Sequence, residues 1–451
     1  MKFTQMELPD YIVQSLTKQN ITEATEIQQM TIPLIMSGAD VMGLSQTGSG
    51  KTYAYGIPII ETIDKNLNVT QVLIVCPTRE LSIQVVDSLK KLLTHEGQIS
   101  IAAVFGGSNM DKQKKALKNG AKIVVGTPGR LIDHLRRKTL KLGNLKTVVL
   151  DEADEMLNIG FKEDIETILK SANKERQTIM FSATMPSLIQ KLTAAYMRDP
   201  VTIKTQNQES SHELIKQYYV NCKKHQKIET LEKIYDKIKP FVSIIFCNTK
   251  QMTEDLTDSL SEKGLEADFL HGDMRQRERE RTMKKFKRNG GILIATDVAA
   301  RGIDVKNVDI IVNFDFPNNE EYYTHRIGRT GRAGSTGKAF TIINNHGNSK
   351  SLHALVNKLG GQIEEFSELS TEKFATGETS KDKEKDKRGF HKSKRKGKKE
   401  RERDRRRDSG QKSRADKPKS DKFGKNSKSP SPKENTFYKK NSGPKNFKKK
   451  K

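Results

Sequence analysis

The stretch Ser45-Gln46-Thr47-Gly48-Ser49-Gly50-Lys51-Thr52 has the residue types of a phosphate cradle. Gly48 and Gly50 let backbone amides turn onto phosphate oxygens with no side chain in the way, and Thr47 and Ser49 complete the loop. Lys51 brings a positive charge to the terminal phosphates. Thr52 opens the next helix with its hydroxyl placed to ligate Mg²⁺. Ser45 stands where this pattern usually begins with glycine. Further along, the apolar run Val148-Val149-Leu150 ends in Asp151-Glu152-Ala153-Asp154. Asp151 is the natural metal partner, directly or through water, and Glu152 stands to accept a proton from an attacking water. An acidic pair alone can simply open a solvated helix at its positive end. Placed after a wholly apolar strand and paired with the cradle, it predicts hydrolysis of ATP or a close relative, with Mg²⁺.

Such chemistry also needs a cation on the charge that develops at the γ-phosphate. His325-Arg326-Ile327-Gly328-Arg329-Thr330-Gly331-Arg332 supplies arginines three apart, on one face of a helix or turn. Read by itself this is a basic patch. If Arg329 and Arg332 reach across from a second domain, hydrolysis requires domain closure, and ATP becomes a switch for interdomain geometry.

The elements that must position these residues follow from hydropathy. Apolar runs at 72–75, 123–125, 148–150 and 178–181 predict buried strands of a parallel sheet, with helical patterns between them. The alternation predicts an α/β, doubly wound domain whose ligands bind at the carboxyl ends of the strands. A polar lapse at 205–214 reads as a linker. A second series at 242–246, 292–295 and 310–314 predicts a second domain of the same build, fading near Phe366. The expected layout is therefore 1–204, 205–214, 215–366 and a tail at 367–451. Residues 371–451 carry 32 Lys and Arg against 12 Asp and Glu, a net of +20 out of +26 for the chain. With so few apolar residues the tail is expected to be disordered, and its charge points to a polyanion, above all nucleic acid. Cys76, Cys222 and Cys247 lack metal-ligand spacing, so neither zinc nor a disulfide is expected. No run approaches a membrane span and no signal-peptide core opens the chain; a cytoplasmic protein is expected.

The combination resembles the DEAD-box ATP-dependent RNA helicases of superfamily two, from about Phe3 to Gly347, and in its compact build their bacterial members. Besides the cradle and Asp151-Glu152-Ala153-Asp154, the resemblance rests on Pro77-Thr78-Arg79-Glu80-Leu81, Gly106-Gly107, Thr127-Pro128-Gly129-Arg130, Ser182-Ala183-Thr184, His271-Gly272-Asp273, Gln276 with Arg279, Ala295-Thr296-Asp297, Ala300-Arg301-Gly302-Ile303-Asp304 and the 325–332 segment. It implies two tandem RecA-like parallel-sheet domains. By resemblance, Gln28 reads adenine with Phe3 stacking near it, Asp304 holds the ATP ribose, and Arg329 and Arg332 match the arginine fingers, with His325 grouped among the catalytic residues. Arg79, Gly107, Thr127 and Arg130 would contact RNA from the first domain, and Thr249 and Thr296 from the second. Ser182 and Thr184 would couple nucleotide state to unwinding. The adenine motif departs from the family pattern, since Ile21 stands where an aromatic is usual.

The partner implied is RNA, single-stranded or in short duplexes, held by phosphate and sugar and so read with little sequence specificity. Ribosomal and RNA-decay assemblies are open as settings. Three readings stand: a helicase remodelling short duplexes, an ATP-gated RNA clamp or annealing chaperone, and a DNA helicase of the same superfamily, against which the RNA-type motifs argue. In the tail, Phe390, Phe423, Phe437, Tyr438 and Phe447 are scattered among basic residues and suit stacking on unpaired bases. If the tail tethers RNA, deleting residues 371–451 raises the RNA concentration for half-maximal ATPase and leaves saturated turnover nearly unchanged. An RNA titration giving the same midpoint for both chains rejects the tether.

Overall fold

Short runs of Val, Ile and Leu, buried on both faces, form the centre of each sheet, as parallel pairing between flanking helices demands. The structure is a computed structural model and describes residues 1–374 except 46–47, 95–96, 206–214, 301–304, 306–307, 318–319, 332–335 and 360. The expected linker and most of the expected tail thus lie outside the described residues.

In the first domain the strands are β1 (Val41–Leu44), β2 (Val72–Val75), β3 (Ile101–Val104), β4 (Ile123–Gly126), β5 (Thr147–Leu150), β6 (Gln177–Ser182) and β7 (Val201–Lys204). They pair in the order β3-β4-β2-β5-β6-β1-β7, all parallel. The second domain contributes β8 (Ile215–Asn221), β9 (Val242–Cys247), β10 (Ala267–Leu270), β11 (Gly291–Thr296), β12 (Ile310–Asn313), β13 (Gly337–Ile343) and β14 (Ile363–Glu365). Their order is β10-β11-β9-β12-β13-β8-β14, again parallel. Position for position it repeats the first sheet, so the chain holds one architecture twice.

The repetition extends to the turns. Thr78 follows β2 and caps the helix Arg79–Leu92, its hydroxyl accepting from Leu81 N at 3.2 Å. Thr249 follows β9 and caps Lys250–Glu262, accepting from Met252 N at 3.2 Å. Each satisfies an amide that the first helical turn leaves without a partner. Each sheet has an apolar cluster on either face. Gly43 on β1 is needed because a Cβ there would lie 2.3 Å from the Phe181 ring. The three cysteines are buried and unpaired.

The second domain is organised around a buried guanidinium. Arg326, on the helix Glu320–Ile327, is 1 % exposed. It forks onto Asp297 at 2.5 and 2.8 Å and reaches Asp315 O at 2.6 Å and Asn248 Oδ1 at 2.8 Å. It also stands over the Phe246 ring at 5.2 Å. Loops after β9, β11 and β12 are thereby held to one side chain. Packing continues past the expected boundary at Phe366. Thr371 N donates to Asn221 O at 2.8 Å, and Leu369 and Phe374 lie on the domain's apolar clusters. No helix among the described residues is long and apolar enough to cross a membrane.

Replacing Arg326 by alanine leaves Asp297 inside without its counter-charge. Loss of about 3–5 kcal/mol from the second domain is expected, as for other broken buried pairs. The shift of the denaturant midpoint checks it, and a shift within the range of an exposed pair contradicts it.

Candidate active site

Every expected site residue that the structure describes in the first domain, apart from those of the amino-terminal segment, lies in or beside a loop leaving the carboxyl end of a strand, and the two kinds of residue separate; in the second domain His325 and Arg329 lie on and just past the helix Glu320–Ile327. Residues expected to hold nucleotide and metal follow β1 and β5, and the expected coupling residues Ser182 and Thr184 stand at the end of β6, which lies between those two strands in the sheet. Those expected to hold RNA, Arg79, Gly107, Thr127 and Arg130, follow β2, β3 and β4, the neighbouring group. In the second domain Thr249 and Thr296 follow β9 and β11, the strands equivalent to β2 and β4.

After β1, Gly48 and Gly50 take φ of +89° and +91°, a region that glycine enters without strain. Lys51, buried at the start of the helix Lys51–Glu61, donates to Ser45 O at 3.2 Å, and the Ser45 and Ser49 hydroxyls bond to one another. Gln28 is buried and shapes the loop from behind: its Oε1 accepts from Thr25 N at 2.9 Å and its Nε2 donates to Gly50 O at 3.0 Å. Thr25 Oγ1 adds a bond to Ser49 O at 2.8 Å. A Cβ on Gly50 would meet Gln28 Nε2 at 2.4 Å. The Phe3 ring, expected near the adenine, is 1 % exposed and packs into the first domain's core. Phe3 N to Thr22 O at 3.2 Å and Ala24 N to Met1 O at 3.0 Å hold the segment so that the phenyl fills that core. Thr47 and Asp304 lie outside the described residues.

After β5, Asp151 is 2 % exposed. Its Oδ2 accepts from the Tyr55 hydroxyl at 2.8 Å, while its buried Oδ1 has no hydrogen-bond partner among the described residues. The Thr52 hydroxyl also bonds Tyr55. A buried carboxylate oxygen with an unused lone pair beside a hydroxyl fits a hard divalent cation that takes its other ligands from phosphate and water. Burial and the carboxylate raise the Tyr55 phenol's pKa well above its usual value, so it stays a donor. Glu152 sits at φ +51°, ψ +55°, a left-handed conformation unusual for a side-chain-bearing residue, at the turn into the helix Ala153–Ile159. Burial lifts its carboxyl above the ordinary carboxylate range; Lys51, Arg329 and His325 oppose this and Asp151 reinforces it. A base with a raised pKa is better matched to neutral proton transfer.

Asp154 ties this turn to β6. Its Oδ2 accepts from Ala183 N at 3.0 Å, Thr184 N at 2.9 Å and Thr184 Oγ1 at 2.9 Å, and its Oδ1 from Glu155 N at 3.0 Å. Ser182 Oγ donates to Thr184 O at 2.7 Å. One carboxylate thus fixes the position of both expected coupling residues.

The second domain approaches both halves of this face. On the nucleotide half, His325 Nδ1 stands 3.4 Å from Glu155 Oε2. Arg329, 7 % exposed, donates to His325 O at 3.2 Å, and its charge is felt at Glu152. Arg332 lies outside the described residues. On the other half, Arg79 Nη1 donates to Gln276 Oε1 at 3.4 Å and Arg279 Nε pairs with Glu80 Oε1 at 2.8 Å. Burial lowers the Arg79 pKa; the Glu80 carboxylate opposes this, and the Arg279 and Arg130 charges add to it. A Cβ at Gly107 would meet Arg79 Nη1 at 2.5 Å, so only glycine admits that guanidinium. Arg130 donates to Ser108 O at 3.3 Å and Gln113 Oε1 at 3.2 Å. Thr127 and Thr296 are each 9 % exposed. Tyr55 was not anticipated from the sequence; its place four residues after Lys51 on the same helix face is the signal that could have found it. Asp154 lay inside a recognised motif without an assigned role.

The DEAD/DEAH box helicase family matches residues 25–192 and the helicase conserved C-terminal domain matches residues 226–334. The ATP-dependent RNA helicase CshA of Listeria monocytogenes is 46% identical over 343 residues, covering 76% of this chain and 66% of that protein. CshA of Limosilactobacillus reuteri is 44% identical over 344 residues, covering 76% and 69%. The matches thus span about two thirds of these relatives' length. Among solved structures, Dbp5 of Saccharomyces cerevisiae bound to RNA and ADP BeF3 aligns with a TM-score of 0.74 at 29% identity, covering 81% of this chain and 95% of that one. Mss116p bound to ssRNA and AMP-PNP aligns with a TM-score of 0.73 at 30% identity, covering 82% of each.

Two outcomes follow from this geometry. Tyr55→Phe removes the donor that orients Asp151, so the Mg²⁺ concentration for half-maximal ATP turnover should rise by about tenfold, the scale of outer-shell losses; a Mg²⁺ titration with an unchanged midpoint contradicts the orienting role. Because the Glu152 pKa is raised, its base form is lost at a higher pH than an ordinary carboxylate's as pH falls. The acid limb of kcat/KM should therefore lie above about pH 4, where exposed carboxylates titrate; a limb at or below that value contradicts the assignment.

Proposed function

The chain belongs to the DEAD-box family of ATP-dependent RNA helicases, and from that premise we propose that it binds single-stranded RNA across its two domains and locally unwinds short duplexes or remodels RNA–protein complexes as ATP binds and is hydrolysed. The observation that carries this reading is the meeting of both domains at both halves of one face. His325 and Arg329 come to Glu155 and Glu152, while Gln276 and Arg279 come to Arg79 and Glu80.

ATP would lie over the Gly48–Lys51 turn with its terminal phosphates at Lys51. Gln28 has one amide hydrogen and one lone pair left after its bonds to Gly50 and Thr25, which match the donor–acceptor edge of adenine. Thr52 and Asp151 would hold Mg²⁺, which when bound neutralises phosphate charge. Glu152 takes the proton of the water that attacks the γ-phosphorus. Arg329 places its guanidinium at the charge that develops there, with Arg332 and His325 proposed beside it and Asp304 at the ribose. Arg79, Gly107, Thr127 and Arg130, with Thr249 and Thr296 opposite, would hold one RNA strand by phosphate and 2′-hydroxyl. Closing the domains on that strand bends it away from its complement. The Asp154 link to Ser182 and Thr184 favours this coupled reading over a clamp or annealing chaperone, which needs only residence time.

ATP hydrolysis measured without nucleic acid, with single-stranded RNA and with matching DNA tests the proposal, with Glu152→Gln as the blank. Strong stimulation by RNA alone, absent in the variant, is expected, and strand release from a short duplex should follow. Equal stimulation by DNA overturns the RNA assignment; turnover surviving in the variant overturns Glu152 as the base.

A further inference from the structure

The helix Gln276–Asn289 carries an unneutralised basic stripe. Its inward face, Gln276, Arg279 and Phe286, is buried. On the outward face Arg277, Arg281, Lys284 and Arg288 follow one another at steps of four, three and four residues, all exposed. Three exposed lysines on other helices are neutralised within their own helix: Lys114 by Asp111, Lys170 by Glu166 and Lys233 by Glu229. Here the two acids are turned to the helix start. Glu278 accepts from Arg275 N at 3.1 Å and Glu280 from Gln276 Nε2 at 3.2 Å. No ion pair to Arg277, Arg281 or Lys284 occurs among the described residues. Four like charges on one stripe repel and destabilise a helix unless an anion lies along it.

The two ends of the stripe say which anion. At its amino end Gln276 contacts Arg79, and its Cβ lies where a side chain on Gly107 would meet it at 3.5 Å. The stripe therefore begins beside the residues proposed to hold RNA. At its carboxyl end Gly290 lies against Phe241, whose ring is 73 % exposed, the most exposed large apolar side chain described. Both Gly290 and Gly291 have positive φ, so the chain turns back tightly enough to bring that ring to the helix end. Phosphate-binding cations ending in a lone exposed aromatic are the components of a single-strand platform, charge for the backbone and a π-face for a base.

We propose that the outward face of Gln276–Asn289, ending at Phe241, is a second RNA track that takes the single strand as it leaves the interdomain cleft. It rests on the RNA-binding reading above. The helix is about 20 Å long, at 1.5 Å per residue, so the track lengthens the bound strand without touching the nucleotide site. A strand that fills only the cleft gains nothing from it, and a longer strand does.

The test uses the full chain and the triple variant Arg277→Glu, Arg281→Glu, Lys284→Glu, with Lys141→Glu, Lys146→Glu, Lys174→Glu as a control of equal charge change at the far ends of β5 and β6. RNA binding is read by fluorescence anisotropy, without ATP, for a short strand and a long one across a salt series. The track variant should bind the short strand as the parent does, bind the long strand about tenfold more weakly, and flatten the long strand's salt slope by about 2, roughly 0.7 for each lost phosphate contact. Phe241→Ala should weaken the long strand without changing the slope. A variant that binds both lengths like the parent, or one matched by the control, overturns the track. Because binding is read directly, failure of RNA to stimulate ATPase would count against the function proposed above and leave this comparison standing.

Discussion

A parallel sheet delivers every loop that follows a strand to the same end, and the function of this chain depends on that constraint. Crossover helices cover both faces, so the only place where loop residues from many strands can meet is the carboxyl edge. The strand order then divides the edge. Loops after β1, β5 and β6 hold the phosphate cradle, the carboxylates and the coupling residues, while loops after β2, β3 and β4 hold the arginines and Gly107. Two chemistries share one edge without sharing residues, and they are joined by packing within one rigid sheet.

The second domain repeats the architecture and contributes to it differently. Its β9 and β11 ends match the RNA half of the first domain, down to a threonine cap at equivalent turns. Its 325–331 segment meets the acidic turn of the first domain where His325 stands by Glu155. Arg326 is spent on structure: its bonds to Asp297, Asp315 and Asn248 lock the loops of three strands. Arg329, three residues on, donates to His325 O at 3.2 Å. In the first domain Asp154 does the corresponding work, gathering Ala183 and Thr184 onto the acidic turn. Each domain thus holds its catalytic loop by one buried charge whose partners are all supplied.

Fold class and site were legible where the physics is local. Continuous apolar runs marked β2, β4, β5, β6, β9, β11 and β12 because those strands are buried or nearly so. The edge strands β3, β7, β10 and β14 were missed because one face or more is solvated and the run breaks; β7, for example, buries only Ile203. β8 and β13 are internal, but Lys216 and Lys338 at their second positions break the apolar signal. Glycines and charges at fixed spacing singled out the 45–52 loop, Asp151 and Glu152 as candidates. The burial of Phe3 was not legible in its own segment, because its neighbours across the chain decide which way the ring faces. Tyr55 and the interdomain pairs are long-range facts: Tyr55 and Asp151 are 96 residues apart and Glu80 and Arg279 are 199 apart.

Those interdomain pairs bear on why closure can serve as a switch. Arg279 and Glu80 are 6 % and 13 % exposed, so opening the domains returns both charges to water. Hydration then replaces most of what the pair gave, since a desolvated ion pair roughly breaks even against its separated, solvated partners. The Arg79–Gln276 contact at 3.4 Å is long and exchangeable with water in the same way. A large apolar interface would hold the domains shut whatever was bound. Polar contacts leave the two arrangements close in free energy, where a bound phosphate chain or RNA strand, touching both domains at once, can decide between them by a few kcal/mol of differential affinity. The same reasoning explains why the nucleotide half carries His325–Glu155 at 3.4 Å instead of a buried apolar seam. Polar pairs of this kind on both halves of the face are what join the two domains in this structure.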